Sequence, residues 1–390
     1  MYSNASAAYD GLKLPSRALA AVTGDKDHHA FLAGTCCLKE ANELQLLHFS
    51  DDTNELTCAA VYSHPDEIWD LAPCPSDRNL VLSCHNNNAT GRGGAPPRSS
   101  DAAFGVMLWR LPAAIPQSPS SSGNSSEPAS QPIDKVASLG SAAKPACALL
   151  WEPGGQGNRA VTVAGGDLVR WELSGAAARE ATTVRVTEGG AAAAAAAWDP
   201  HTRTSVAVAA GCGLRIADTR SGGAFTAVAN AHRYACRDVD YSPYKPSCVV
   251  TCGEDRLLRF WDLRAPGQPL KSVLAHRNHW ATRVAYNRFH DQLLATAGSD
   301  AAVCLWRVSS LCAAPGPLLL DGEGDGGGGG GGEGGDGAAD VLARTYGGHE
   351  DSVCAVAWSA RDAWVLTSLG HDGRVFAHHV PSAEKYKILL

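Results

Sequence analysis

The sequence predicts an all-β fold, a seven-bladed β-propeller, and three observations carry that prediction. The first is the stretch 231–264, AHRYACRDVDYSPYKPSCVVTCGEDRLLRFWDLR. Three runs rich in β-branched, aromatic or small apolar residues alternate there with Pro-, Gly- and Asp-containing turns. The second is that its spacing recurs. With His232 as zero, apolar residues fall at +4, +7 and +9, Asp255 at +23 and Trp261 at +29. From His349 the same positions hold Val353, Val356, Trp358 and Asp372, with His378 in the Trp slot; from Arg277 they hold Ala281, Val284, Tyr286, Asp300 and Trp306. Ala142 starts a unit with Ala146, Leu149, Trp151 and Trp171. Gly189 starts one that is a residue shorter, and His64 starts one lengthened by 16 residues before Trp109. The third is length. Seven blades of about 40–45 residues take about 300 positions, and a chain of 390 leaves the remainder for insertions.

Taken in order, residues 17–62 hold four strand candidates (SRALAAV from Ser16, then AFLAGT, ELQLLHFS and LTCAAVY) that lack the His and Trp slots yet supply the remaining blade. The next blade, from Ile68, is interrupted after its second strand by HNNNATGRGGAPPRSSDAA, and Trp109 is followed by a Ser/Pro-rich stretch too polar to order itself. The third and fourth blades are degenerate. The alanine run 191–197 favours helix by propensity, but Trp198-Asp199-Pro200 lands in the slots of an inner strand, so strand is predicted. The fifth and sixth blades are best formed. An acidic, glycine-rich loop precedes the seventh, which ends in EKYKILL, read as a last strand that helps close the ring. The whole chain, 1–390, is thus predicted to be one propeller with flexible insertions at 85–103, 112–135 and 313–343.

Composition excludes several functions. The formal net charge is −7 and no Lys/Arg cluster is interleaved with aromatics, which argues against nucleic-acid binding. Thirteen scattered cysteines without a C-x-x-C pair form no disulfide framework, and several fall in strand slots as small hydrophobes in a reducing compartment. The first residues lack an apolar signal core and no run approaches membrane-spanning length, so a chain not inserted in a membrane is expected.

The repeat layout resembles the WD repeat, in which a His, a Ser/Thr, an Asp and a Trp form a hydrogen-bonded chain tying a loop to its strands. His232, Thr251, Asp255 and Trp261 fit all four positions. The seventh blade keeps His349, Ser368 and Asp372 with His378 for Trp, and the sixth keeps Thr296, Asp300 and Trp306 with Arg277 in the His slot. The same residue types make a hydrolase triad. Recurrence favours the scaffold, because catalysis needs one such group and a scaffold needs one in every blade. Asp321-Gly-Glu-Gly-Asp-Gly begins like a calcium loop, but its twelfth position is Gly332 where a bidentate Glu belongs. Adjacent pairs (His28-His29, Cys36-Cys37, His378-His379) point to opposite faces of a strand and cannot share one metal. No metal, cofactor or small-molecule substrate is expected.

Protein partners are. The +3 slots, in loops leading into inner strands on one face of the ring, hold Glu67, Ala235, Trp280 and Ser352, and Arg233 and Tyr234 share one of those loops. Trp280 is the candidate anchor, since an exposed Trp buries much area at an interface. The competing reading packs it against the neighbouring blade.

Several segments together resemble the family of EARP- and GARP-complex-interacting WD-repeat proteins: GLKLPSRALA, PDEIWDLAPCPSDRNLVLSC, AHRYACRDVDYSP, HDQLLATAGSD, GHEDSVCAVAWS, LGHDGRV and KYKILL. The resemblance implies a seven-bladed propeller without catalytic activity. It also implies association with multisubunit tethering complexes on endosomes and the trans-Golgi network, in support of endocytic recycling and cargo sorting. Three departures stand out: Arg277 in the His slot, Gly211 and Ala217 where Asp and Trp would sit, and the glycine-rich loop. The same fold also serves as a ubiquitin-ligase substrate receptor or chromatin scaffold, which affinity purification would separate. A propeller hydrolase would need a polar cluster outside the repeat register, and the sequence offers none.

Overall fold

The computed structural model describes residues 6–38, 40–86, 104–113, 128–142, 146–187, 192–220, 225–313 and 340–389. A short strand β1 (Ala7–Tyr9) precedes the first blade, which is built from β2 (Ser16–Ala21), β3 (His29–Thr35), β4 (Asn42–Ser50) and β5 (Glu55–His64). Blade two holds β6 (Glu67–Pro73), β7 (Leu80–Asn86), β8 (Phe104–Arg110) and β10 (Asp134–Ala142), while the intervening β9 (Ser130–Pro132) adds to β5 in parallel. Blade three comprises β11 (Ala146–Trp151), β12 (Arg159–Ala164), β13 (Asp167–Ser174) and β14 (Ala177–Arg185). Blade four comprises β15 (Ala193–Trp198), β16 (Ser205–Ala210), β17 (Gly213–Asp218) and β18 (Phe225–Val228). Blade five has β19 (Cys236–Tyr241), β20 (Cys248–Gly253), β21 (Leu257–Asp262) and β22 (Lys271–Leu274). Blade six has β23 (Ala281–Tyr286), β24 (Leu293–Gly298), β25 (Val303–Arg307) and β26 (Val341–Tyr346). Blade seven has β27 (Val353–Trp358), β28 (Val365–Gly370) and β29 (Val375–His379), followed by one helix, α1 (Ser382–Leu389).

The seven innermost strands touch their neighbours in sequence, and β2 meets β27, so the ring is closed. The second strand of a blade is covered by neighbouring blades on both faces. It therefore reads as a continuous apolar run, and every residue of β20, β24 and β28 is buried. Core side chains pack between blades: Leu32 and Tyr62 of blade one join Ile68 and Trp109 of blade two. Indole N–H groups add bonds across the same seams, Trp151 Nε1 donating to Ala72 O (2.8 Å) and Trp358 Nε1 to Ala285 O (3.0 Å). In this up-and-down order the first and third turns of every blade open on one face. The second turn and the connection to the next blade open on the other, called the top here.

The alanine run forms the inner strand predicted for it over 193–197; Ala191 lies outside the described residues. Small side chains suit that position, where neighbouring inner strands crowd the axis.

The C-terminus differs from expectation. Residues 384–389 of EKYKILL are not a strand but part of α1, and the ring is closed from the other end of the chain. Ala7, Ala8 and Tyr9 of β1 pair with Ala377, Phe376 and Val375, completing blade seven as its fourth strand. With that edge occupied, the chain after Pro381 turns into a helix of good helix formers. Its buried Glu384 accepts a hydrogen bond from Arg307 Nε at 2.8 Å.

The expected flexible insertions 85–103, 112–135 and 313–343 also need correction at their ends. His85 and Asn86 belong to β7, Ser130–Pro132 to β9, Asp134 and Lys135 to β10, and Val341 onward to β26. Those ends are pinned: Ile133 packs into the core, and Asp340 bonds Lys271 and the Ser310 N–H (2.9 Å). The stretches 87–103, 114–127 and 314–339 lie outside the described residues.

Candidate functional site

The polar chain of blade five is complete. His232 Nδ1 lies 2.7 Å from Asp255 Oδ1, His232 Nε2 lies 2.8 Å from Thr251 Oγ1, and Trp261 Nε1 donates to Thr251 Oγ1 at 3.0 Å. Burial raises the Asp255 carboxyl, but hydrogen bonds from His232 and from the N–H groups of Arg233 and Leu257 outweigh it and hold the pKa at about 2.

Blade six repeats the arrangement with a correction. Arg277 is exposed and does not take the His slot; His276 does, with Nδ1 at 2.9 Å from Asp300 Oδ1 and Nε2 at 3.1 Å from Thr296 Oγ1, and Trp306 Nε1 donates to the same oxygen at 3.1 Å. The loop into β23 is one residue longer than that into β19, which shifts the slot. In blade seven Ser368 Oγ lies 2.8 Å from both His349 Nε2 and His378 Nε2, while Asp372 Oδ1 stands 3.7 Å from His349 Nδ1. Blade two carries a chain the sequence reading missed at its centre, His64 Nε2 at 3.0 Å and Trp109 Nε1 at 2.8 Å from Ser83 Oγ.

Such a bonded set in four blades supports a structural role. Asp255→Ala should cost about 1–3 kcal/mol of unfolding free energy, because the buried His232 loses a partner. Urea unfolding checks it; a variant that melts like wild type yet loses a measurable ester hydrolysis would make this group a triad instead.

The top of the central channel is built by one recurring distortion. Each inner strand has a β-bulge at its second residue, or its third in β6, so Arg17, Trp69, Cys147, Ala194, Arg237, Thr282 and Cys354 each stand opposite no partner. All seven line one cavity of about 610 Å³. Deeper in, Asp70 Oδ2 accepts from Leu149 N–H (3.2 Å) and Asp238 Oδ2 from Val284 N–H (3.0 Å), each stitching one inner strand to the next. Burial pushes both carboxyls up to about 6, against the pull of the Arg283 guanidinium. Arg283 Nε donates to Cys354 O at 3.1 Å.

Two rings at this mouth lie under guanidinium groups. Arg17 stands 4.7 Å from the Trp69 ring centroid and Arg237, itself paired with Glu254, 5.4 Å from that of Trp280. Trp280 is 48% exposed, so it is not buried between blades although Arg237 of the neighbouring blade covers part of its ring; its backbone is fixed by Ser299 Oγ, which accepts from its N–H at 3.1 Å. Arg233 and Tyr234 are exposed on the loop of the preceding blade, their side chains 5.5 Å apart.

Two other candidates fare differently. Glu67 is not a top-face contact: it opens β6, is 7% exposed, and accepts from Trp69 Nε1 at 3.2 Å. Ser352 is half-buried, with its hydroxyl 3.4 Å from Ser299 O.

Among the described residues, His29, Asp51 and Asp362 form a group of metal-type donors, at the seam of blades one and seven. His29 Nε2 lies 2.8 Å from Asp51 Oδ2 and 3.5 Å from Asp362 Oδ2, with Ser359 Oγ at 2.7 Å from Nδ1. The cation facing Asp51 is Arg361, at 3.5 Å, so the group is accounted for as a hydrogen-bonded seam.

Closed ring and recurring polar chains define a WD-repeat β-propeller, here with an open cationic-aromatic mouth. Its sequence matches the EIPR1 β-propeller family over residues 3–306 and a WD domain, G-beta repeat, over residues 341–377. It is 32% identical to EARP and GARP complex-interacting protein 1 of Homo sapiens, over 97% of this chain and 98% of the relative. WD repeat-containing protein DWA2 of Arabidopsis thaliana is 29% identical over 95% of each chain. EARP-interacting protein 1 of Caenorhabditis elegans is 26% identical over 97% of this chain and 98% of the relative. The chain belongs to the EIPR1 β-propeller family.

Proposed function

We propose that this chain is a non-enzymatic adaptor that docks on EARP- and GARP-type tethering complexes and supports endocytic recycling and cargo sorting. Relatives matched over nearly their whole length carry those complexes in their names, and they support the reading. The observation that carries it to particular residues is Trp280, a large ring left half-exposed at the channel mouth and backed by Arg237. A rigid ring with an aromatic anchor on a loop is the arrangement from which interface hot spots are made. The polar chains recur as scaffold bonds, which supports a protein without catalysis. The net charge of −7 supports protein rather than nucleic-acid partners. No described helix is long and apolar enough to cross a membrane. Residence at endosomes and the trans-Golgi network would then come through the complexes.

Purified EARP complex immobilised on a sensor tests this. Trp280→Ala should weaken binding of the intact chain by about 2 kcal/mol or more, roughly 30-fold, with circular dichroism and melting temperature near wild type. Unchanged binding by the folded variant would move the contact away from this mouth, and no binding by the wild-type chain would sink the adaptor reading.

A further inference from the structure

Blade three keeps half of the polar chain, and the missing half leaves room. Trp171 Nε1 donates to Thr162 Oγ1 at 3.0 Å, as Trp261 does to Thr251 in blade five. The two pairs hold the same register: Thr162 lies opposite Leu149 and Val169, and Thr251 lies opposite Val239 and Arg259. Blades one and four have dispensed with the chain altogether. Their equivalent pairs, Ala33 with Leu47 and Val208 with Ala217, are buried and apolar. Blade three alone retains the buried hydroxyl and indole with no imidazole beside them.

Sequence and shape both keep an imidazole out. Residues 140–145, which lead into β11, read GSAAKP and contain no His. In blades five, six and seven the His ring lies against a glycine, and a Cβ on Gly253, Gly298 or Gly370 would come within 2.8 Å of its Nδ1. Blade three has Ala164 at that position, opposite Ala146. What remains is a cavity of about 290 Å³ between blades two and three. Cys84, Phe104, Val106 and Leu139 of blade two wall one side, and Val169 and Trp171 of blade three wall the other. Thr162, only 4% exposed, stands at the inner end, and the exposed Glu180 and Thr183 mark the mouth.

The bonding state of Thr162 sets the polar contact. In blade five His232 Nδ1–H donates to the Asp255 carboxylate, which leaves Nε2 as an acceptor for the Thr251 hydroxyl, and that oxygen accepts in turn from the indole. In blade three the Thr162 oxygen accepts from the indole in the same way. Among the described residues its hydroxyl has no second partner.

We propose that this cavity binds a small, uncharged heteroaromatic molecule, with a ring nitrogen that accepts from the Thr162 hydroxyl. The chain itself meets the equivalent hydroxyl with a ring nitrogen in blades five and six. Phe104 and Trp171 walls suit a flat ring, and a volume at the small end of ligand sites suits one or two fused rings. Glu180 at the mouth accepts from the Thr183 hydroxyl and pairs with no described cation. It repels phosphate and carboxylate groups, so the class is not a nucleotide. Bound there, the molecule ties blade two to blade three where the protein's own imidazole is missing. The assignment does not depend on which complex the channel mouth engages.

Benzimidazole titrated into the full chain by isothermal calorimetry at neutral pH is the test, with indole, of the same shape but lacking the acceptor nitrogen, beside it. Benzimidazole should bind saturably to one site, and indole about 5-fold or more weakly, the scale of one hydrogen bond. Thr162→Val should bring benzimidazole down to the affinity of indole. Val169→Phe should fill the cavity and abolish binding of both; Arg259 at the equivalent place in β21 shows that a long side chain is accommodated there. The proposal is overturned if wild type shows no saturable binding or binds the two probes equally. It is overturned equally if either variant keeps the wild-type affinity for benzimidazole.

Discussion

A chain that begins at Lys13 should melt at least about 5 °C below the intact protein and should self-associate. Removing residues 1–12 takes away β1, the strand that pairs with β29 and completes blade seven. Leu12 is 4% exposed, so its burial contributes about 2 kcal/mol. Each strand hydrogen bond lost adds roughly 1 kcal/mol, and the bond between Ser6 Oγ and His378 Nδ1 (2.7 Å) goes with them. A total of roughly 5 kcal/mol is a large share of an ordinary stability margin, and spread over a chain of this size it gives the stated shift. The loss is also topological. Without β1, β29 becomes an open edge that can pair with a second molecule. Calorimetry and size-exclusion chromatography read the two effects, and a peptide of residues 1–14 added in trans should partly reverse them. A truncated chain that melts with the intact one and stays monomeric would show that the ring does not depend on this strand.

That closure was not legible in the sequence, and the reason is physical. Ala7-Ala8-Tyr9 is three residues long and outside the repeat, so no periodicity marks it. The apolar run at the other end drew attention as a strand, yet its fate depended on which edge was already paired and on a partner for Glu384, Arg307, far away in sequence. What could be read was whatever the repeat imposes on every blade. The buried second strands show as continuous apolar runs, and the His-Thr-Asp-Trp chain shows because its four residues keep fixed spacing. Fixed spacing conceals His276, because Ala275-His276-Arg277 repeats Ala231-His232-Arg233 one position early. Ser83 was hidden because the insertion that follows it breaks the register to Trp109.

The channel mouth was legible only in part. Trp280 showed as a large ring in a loop slot, whereas Glu67 in the equivalent slot is drawn inward at the start of β6 by the Trp69 indole. The seven bulge residues share a backbone distortion and no side-chain chemistry, so Arg17, Cys147 and Thr282 give no common signal to follow.

Replacing His378 by Gln should make the protein less stable at pH 7 and more stable at pH 4. His378 fills the Trp slot of blade seven, bonded through both ring nitrogens, Nδ1 to Ser6 Oγ (2.7 Å) and Nε2 to Ser368 Oγ (2.8 Å). Burial, joined by the charges of His349, Arg344 and His379, pushes its pKa from an ordinary 6.5 to about 3. Above pH 6.5 the ring is neutral in both the folded and the unfolded chain and adds no pH dependence. Below it the unfolded chain takes up a proton that the folded chain refuses, so stability falls as the pH drops toward the folded value. Between pH 7 and 4 that loss is about 3 kcal/mol, from roughly 1.4 kcal/mol per pH unit below 6.5. His64, held at about 4 chiefly by burial, adds a loss of the same sign. Asp70 and Asp238, pushed up to about 6, act the other way: the folded chain binds their protons first and gains stability as the pH falls through 6. The wild-type profile alone therefore mixes opposing contributions, and the difference between two proteins isolates one of them. Gln cannot titrate, so the variant keeps every other group and loses only the His378 contribution. At pH 7 it lacks the ring packed 4.5 Å from the Tyr346 ring and is the weaker protein by about 1–2 kcal/mol. By pH 4 the larger proton-linked loss in wild type should have reversed the order. Urea unfolding of both proteins at the two pH values measures the change, and parallel stabilities would mean that the folded protein does not hold His378 neutral.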